Sequence, residues 1–390
     1  MSRISFLVVL LLASAASAQS PVPTDAKLEK IATGFSFVEG PLWKDGALLF
    51  SDISASKIYR WDPVTKSAAP FLDPSYNSNG LTLDAEGNLV FCQMGYRRVV
   101  RMDSNKNVTP LASTYDGKKF NSPNDLVVMS DGSIFFTDPD YNVPAGQKKE
   151  LSFCGIYRIS PSGDVQLLDS TLQEPNGICF SPDETKLYVN DSGKRIIYMW
   201  EVVDDSIITG RRVFATMVTT SGNADGMKTD SIGNIFSAGP LGIWVFSPNG
   251  AVLDTILVPG QTTNCNWGDA DRKTLYITAG NSVYRIRLAS TPTGIEGANR
   301  TPPQTFRLYS NYPNPFNTTT NVWFRIAKFG FVSLKVYNVL GQETETLVNE
   351  VRQPGSYTVR FDGGRLPSGI YFCRMSSSNF VGTEKMMLLK

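Results

Sequence analysis

Six short segments of the chain each put an oxygen-bearing side chain at the same point of a recurring pattern. They read Val38-Glu39-Gly40-Pro41, Ser78-Asn79-Gly80-Leu81, Pro123-Asn124-Asp125-Leu126, Pro175-Asn176-Gly177-Ile178, Ala224-Asp225-Gly226-Met227 and Thr263-Asn264-Cys265-Asn266. The second column therefore runs Glu39, Asn79, Asn124, Asn176, Asp225, Asn264. A spacing of roughly 40–50 residues is that of sheets repeated around an axis, which brings equivalent positions into a ring. Two carboxylates neutralise a divalent ion, and amide oxygens add coordination without adding charge. All-oxygen ligation favours Ca²⁺, then Mg²⁺ or Mn²⁺, while Zn²⁺ ordinarily takes nitrogen or sulfur. The alternative is a ring whose members bond one another and trapped water.

The chain contains no histidine. That excludes Ser-His-Asp and Cys-His catalysis and imidazole metal sites. Chemistry is left to carboxylates, amides, Lys, Tyr, Ser or a bound ion. A formal net charge of +1 over 390 residues leaves no electrostatic footprint for nucleic acid.

The elements that must carry the ring follow one grammar. An apolar strand comes after each ring residue, then a turn, then a second and a third strand. Leu81–Phe91, Leu126–Thr137, Ile178–Val189 and Met227–Phe236 are successive copies of the first hairpin. Asp84, Asp131, Asp183 and Asp230 recur inside those turns and are expected to cap them rather than to bind a ligand. Six copies predict an all-β, six-bladed β-propeller over residues 19–290. The last copy lacks an outer strand, and Lys27–Ala32 is a spare strand that would complete it and close the ring.

Residues 1–18 carry Arg3, an apolar run and Ala16-Ser17-Ala18, the pattern of a secretory signal peptide; the run is too short for a membrane anchor. No integral membrane segment is expected in the mature protein. Of five cysteines, Cys92, Cys179 and Cys265 sit in apolar strand-like runs as buried thiols, and an exported chain leaves room for one disulfide. Residues 291–304 read as a Thr-, Pro- and Gly-rich linker. Residues 305–390 form a second all-β unit of the size of a small immunoglobulin-like sandwich.

Four runs resemble the SMP-30/gluconolactonase/LRE-like family of propellers: Phe37–Trp43, Asn121–Val128, Pro175–Pro182 and Ala224–Lys228. The resemblance implies one divalent cation on the propeller axis, with Glu39, Asn124, Asn176 and Asp225 as its ligands. Two departures stand out. Ser122 occupies the place of a sugar-binding arginine found in some animal members, and Met94-Gly95 replaces a His-Gly pair common in bacterial ones. Asn311–Asn317, Val336–Gly341 and Pro367–Phe372 resemble a type A sorting domain of the type IX secretion system. That implies export through the periplasm to the cell surface or medium, with the secretion machinery as partner.

A cation at the mouth of such a ring can polarise a lactone carbonyl and stabilise the charge that develops when water attacks. The leading expectation is a secreted Ca²⁺-dependent lactonase acting on sugar lactones of the gluconolactone type. Asp225 would be ligand and proton acceptor, and Asp138 a second carboxylate. Asn79, Gln93, Ser122, Tyr141 and Asn264 are the expected substrate contacts. Phosphotriesterase chemistry on the same metal and a non-enzymatic carbohydrate- or protein-binding propeller are the alternatives.

Overall fold

The computed structural model describes residues 20–203, 207–219, 221–288, 306–309, 311, 314–352 and 355–390. The expected signal peptide and the expected linker lie outside the described residues. Among the described residues up to 288 there are six four-stranded antiparallel sheets. The first comprises Val38–Lys44, Ala47–Asp52, Lys57–Asp62 and Ser67–Leu72. Its opening hairpin turns through Asp45 and Gly46, both at positive φ (49° and 72°). That is the two-residue connection whose twist matches paired strands, and Asp-Gly is the sequence that favours it.

The sixth sheet is completed from the far end of the chain. Glu29–Thr33 pairs antiparallel with Ser282–Arg287, the last strand of the sixth sequence copy. A non-covalent clasp between the first and last strands of the propeller thus covers an edge that would otherwise stand open.

The hydrophobic core is a set of layers between consecutive sheets. Leu42, Leu49 and Ile58 of the first sheet pack on Leu81 and Phe91 of the second. Val90 and Cys92 meet Leu126 and Phe136, and Phe135 lies edge-on to Phe180 at 4.9 Å. The series continues through Tyr188 against Phe246 and Phe236 against Trp267. It returns to the start with Tyr276 against Val38, Phe50 and Trp61. Each sheet buries both faces against its neighbours, so the stabilisation from apolar burial is spread round a closed cycle. This is a propeller. All five cysteines are buried free thiols, so no disulfide contributes.

Residues 306–390 form two further antiparallel sheets, one of three strands and one of four. They enclose an apolar core that includes Val322, Phe324, Leu334, Phe361, Tyr371 and Met386. Arg325 of this unit reaches the propeller, where its guanidinium lies 2.5 Å from Glu184 and also bonds the Ser130 hydroxyl.

Candidate active site

The innermost strands approach so closely that the ring column is followed by glycine wherever a side chain has no room. A Cβ on Gly40 would sit 2.4 Å from the Asn79 carbonyl oxygen, and one on Gly226 1.9 Å from the Asn264 side chain. At distances below 3.0 Å a neighbour must shift, so the residue-Gly pairs of the sequence mark where consecutive sheets touch. The ring is stitched by side chains from the second strand of the preceding sheet. Ser51 donates to Asn79 O (2.8 Å), Thr137 to Asn176 O (2.7 Å) and Asn190 to Asp225 O (2.5 Å).

The residue following each of these stitches has its own task. Asp52 accepts the backbone N–H groups of Ser36 and Phe37, Asp138 those of Asn121 and Ser122, and Asp191 those of Gln173 and Glu174. In all three the capped amides lie three and two residues before the ring residue: Glu39, Asn124 and Asn176. Ser51-Asp52, Thr137-Asp138 and Asn190-Asp191 are thus one device used three times to set the entry of an inner strand.

Six of the expected site residues surround one cavity of 320 Å³: Glu39, Asn79, Asn124, Tyr141, Asn176 and Asp225. The Tyr141 hydroxyl accepts from the side-chain amides of Asn124 (2.9 Å) and Asn176 (2.7 Å). Tyr141 rides on the long connection after Asp138, which buried Arg97 ties to the loop at Phe120 by donating to Phe120 O, Lys148 O and Gln147. Asn264 lies behind this wall and donates to Glu39 (2.9 Å).

Asp138, Gln93 and Ser122 do not reach the cavity. Asp138 is fully buried and both its oxygens are occupied by backbone amides. The Gln93 amide donates to Ser75 O and accepts from Arg98, and the Ser122 hydroxyl donates to Pro139 O. All three hold loops. The turn aspartates behave as the sequence predicts: Asp84 and Asp230 each accept two backbone amides within their own turns, and Asp131 and Asp183 one each.

The structure adds residues that the motif reading missed. Glu174 and Asn223 line the cavity from the column two places before the ring residue, the column to which Ser122 also belongs. Reading that column round the repeat would have found them. Asn142 and Gln261 line it from connecting segments. Asp125, buried within the ring, has Lys228 at 3.9 Å.

The electrostatics of this cluster are unfavourable as they stand. Burial, with Asp125 nearby, pushes Glu39 up to about 7, against the hydrogen bonds from Asn264 and Gly40 and the charge of Lys228. Burial, then Glu39 and Asp125, raises Asp225 well above the usual carboxylate range. Burial, then Asp225 and Glu39, also holds the Tyr141 hydroxyl far above its ordinary value. Meanwhile the buried side-chain oxygen of Asn176 has no hydrogen-bond partner. Crowded carboxylates and an orphaned amide oxygen are what an all-oxygen cation site presents without its ion, so these residues fit a divalent cation.

Fold and site together define a propeller with an oxygen-lined pocket at one end of its axis. The SMP-30/Gluconolactonase/LRE-like region profile matches residues 37–281, and the chain belongs to that family. A secretion system C-terminal sorting domain profile matches residues 310–389, which marks the chain for export. A gluconolactonase of Zymomonas mobilis is 35% identical over 289 residues, 67% of this chain and 81% of its own length. The pentonolactonase XacC of Haloferax volcanii is 26% identical over 62% of this chain and 80% of its own. Among solved structures, a gluconolactonase from Xanthomonas campestris superposes with a TM-score of 0.64 at 32% identity, covering 69% of this chain and 91% of that one.

Proposed function

We propose that this protein is an exported, divalent-cation-dependent enzyme that hydrolyses sugar lactones, built on a six-bladed propeller and carried out of the cell by an immunoglobulin-like type IX sorting domain. That it is a lactone hydrolase rests on its family and on the gluconolactonase relative, 35% identical over most of the propeller. The observation that carries the site is the meeting of Glu39, Asn124, Asn176, Asp225 and Tyr141 around one cavity. Glu39, Asn124, Asn176 and Asp225 would hold the cation, with Ca²⁺ favoured by their oxygen donors and Mg²⁺, Mn²⁺ or Zn²⁺ as substitutes. When bound, the ion supplies Lewis acidity toward the lactone carbonyl.

The chain's own residues do the rest. Asp225 accepts the proton of a water molecule whose oxygen bonds to the carbonyl carbon. The bond between that carbon and the ring oxygen then breaks, and the ring oxygen takes up the proton. The product is the open hydroxy acid. Tyr141, held protonated, is a hydrogen-bond donor beside the reacting carbonyl, and Asn142, Glu174 and Gln261 can bind sugar hydroxyls. No arginine or lysine lines the cavity among the described residues, which suits a neutral lactone better than a sugar phosphate. The test is a lactone panel on metal-depleted protein: hydrolysis should vanish with chelator and return with Ca²⁺. Full turnover in the metal-free protein would sink the proposal.

A further inference from the structure

A second and larger cavity, 490 Å³, opens beside the first, and the two share Asn223 and Gln261 in their walls. We propose that it is a subsite for a neutral glycosyl unit, so that the substrate is the lactone of an oligosaccharide rather than of a single sugar. This rests on the lactonase reading above and deepens it.

The chemistry of the walls is the argument. Among the described residues no ionisable side chain lines the second cavity, so these walls offer no charge to pair with phosphate, carboxylate or ammonium groups. Hydroxyls and amides are supplied by Ser221, Asn223, Gln261 and Thr262, and an apolar wall by Pro240 and Leu241. Directional polar groups beside an apolar face are what a pyranose, with its hydroxyl rim and C–H face, requires. The Thr262 hydroxyl is buried with no hydrogen-bond partner. Left unpaired it costs free energy, and a rotation of the side chain toward the cavity would let a ligand hydroxyl satisfy it. The apolar wall is the two-residue turn between Gly239 and Gly242: Leu241 sits at φ 74°, 67% exposed, and Trp244 fixes the turn by donating to Pro240 O at 2.8 Å. A leucine in the left-handed region is strained and persists only where the surroundings impose it.

The two shared residues fix how a substrate would lie. With its lactone ring among Glu39, Asp225 and Tyr141, a substituent leaving past Asn223 and Gln261 enters the second cavity. Binding energy gained there, remote from the reacting carbon, can appear in kcat/KM.

The experiment compares cellobionolactone with gluconolactone on the full-length, Ca²⁺-loaded protein. A preference of about tenfold or more in kcat/KM for the disaccharide lactone is expected, since remote contacts contribute to the transition state. Ser221→Trp, at an exposed wall position, should collapse that ratio toward one. Thr262→Val, which removes only the hydroxyl, should reduce it several-fold and guards against a folding defect in the bulkier variant. Equal kcat/KM for the two lactones, or a preference unmoved by either substitution, would overturn the subsite. If neither lactone is hydrolysed, the lactonase reading itself fails. Calorimetric binding of cellobionate against gluconate then decides the cavity alone: tighter cellobionate binding, lost in Ser221→Trp, supports it, and equal binding refutes it.

Discussion

Three of the six sheets end their second strand in an aspartate that caps the entry to a ring residue, and three do not. Glu39, Asn124 and Asn176 stand on the capped entries, through Asp52, Asp138 and Asp191. Asn79, Asp225 and Asn264 stand on entries where Gln93, Gly239 and Ala279 take the aspartate's place. Among the four proposed ligands, Asp225 alone stands on an uncapped entry, and we propose that the difference separates ligands held rigidly from one with a second duty. A residue that only ligates gains from a fixed loop, because a coordinating atom must be held within a few tenths of an ångström. Asp225 contacts its own strand through Gly226 N–H (3.1 Å) and is anchored at its carbonyl by Asn190. Its carboxylate is the one member of the ring proposed to take a proton. The capped set would then be the scaffold of the ion, and Asp225 the working group.

The largest expected effect tests that division directly. Asp225→Asn keeps one coordinating oxygen but cannot accept a proton at neutral pH, so with saturating Ca²⁺ lactone hydrolysis should fall on the order of 10²–10⁴, the usual cost of losing a general base. Glu39→Gln, on a capped entry, should recover most of its rate under the same conditions. Equal recovery of both variants would erase the distinction and leave Asp225 as a ligand only.

Next in size is the loss of the ion itself. Glu39→Ala should abolish Ca²⁺ binding measured by calorimetry, whereas Asn79→Ala and Asn264→Ala, on uncapped entries, should retain it with some loss of melting temperature. An uncapped asparagine that proves as indispensable as Glu39 would break the four-ligand assignment.

A smaller effect is expected from the caps. Asp138→Ala strips two buried backbone amides of their acceptor, at about 1–3 kcal/mol for each group left unpaired. Chemical denaturation should report that loss, and Asp138→Asn, with one oxygen remaining, should lose roughly half as much. Turnover per folded molecule of Asp138→Asn should drop by less than about tenfold, well short of the loss of a general base. A fall of a thousandfold without destabilisation would make Asp138 a catalytic residue after all.

The smallest effect concerns the C-terminal unit. Its contact through Arg325 reaches Glu184 and Ser130 in the turns between first and second strands, and the sheets of the propeller pack on one another without it. A chain ending at residue 290 should therefore keep its lactone kcat/KM within about twofold, because a self-enclosed core folds alone. Failure of that shortened chain to fold would make the sorting domain part of the enzyme's core.

Much of this was legible before any coordinates. Periodicity alone yields the ring column, since a repeated sheet puts equivalent residues at equivalent radii. Asp45-Gly46 announces its hairpin through a backbone preference that is local to two residues. The spare strand, read as Lys27–Ala32 and found at Glu29–Thr33, could be matched to the open edge of the last copy because strand number is a count along the chain. The role of Asp138 could not be read in this way. An aspartate that caps a loop and one that lines a pocket follow the same apolar strand, and only the fold shows where its carboxylate oxygens go. The stitches from Ser51, Thr137 and Asn190 cross between sheets, so their partners lie 28 to 39 residues away at distances that no local pattern encodes. The second cavity is a gap among three separate segments, 219–223, 239–241 and 260–262. Chain order decides which residues can enter a sheet, whereas a gap between sheets belongs to none of them and is set by how closely their loops pack.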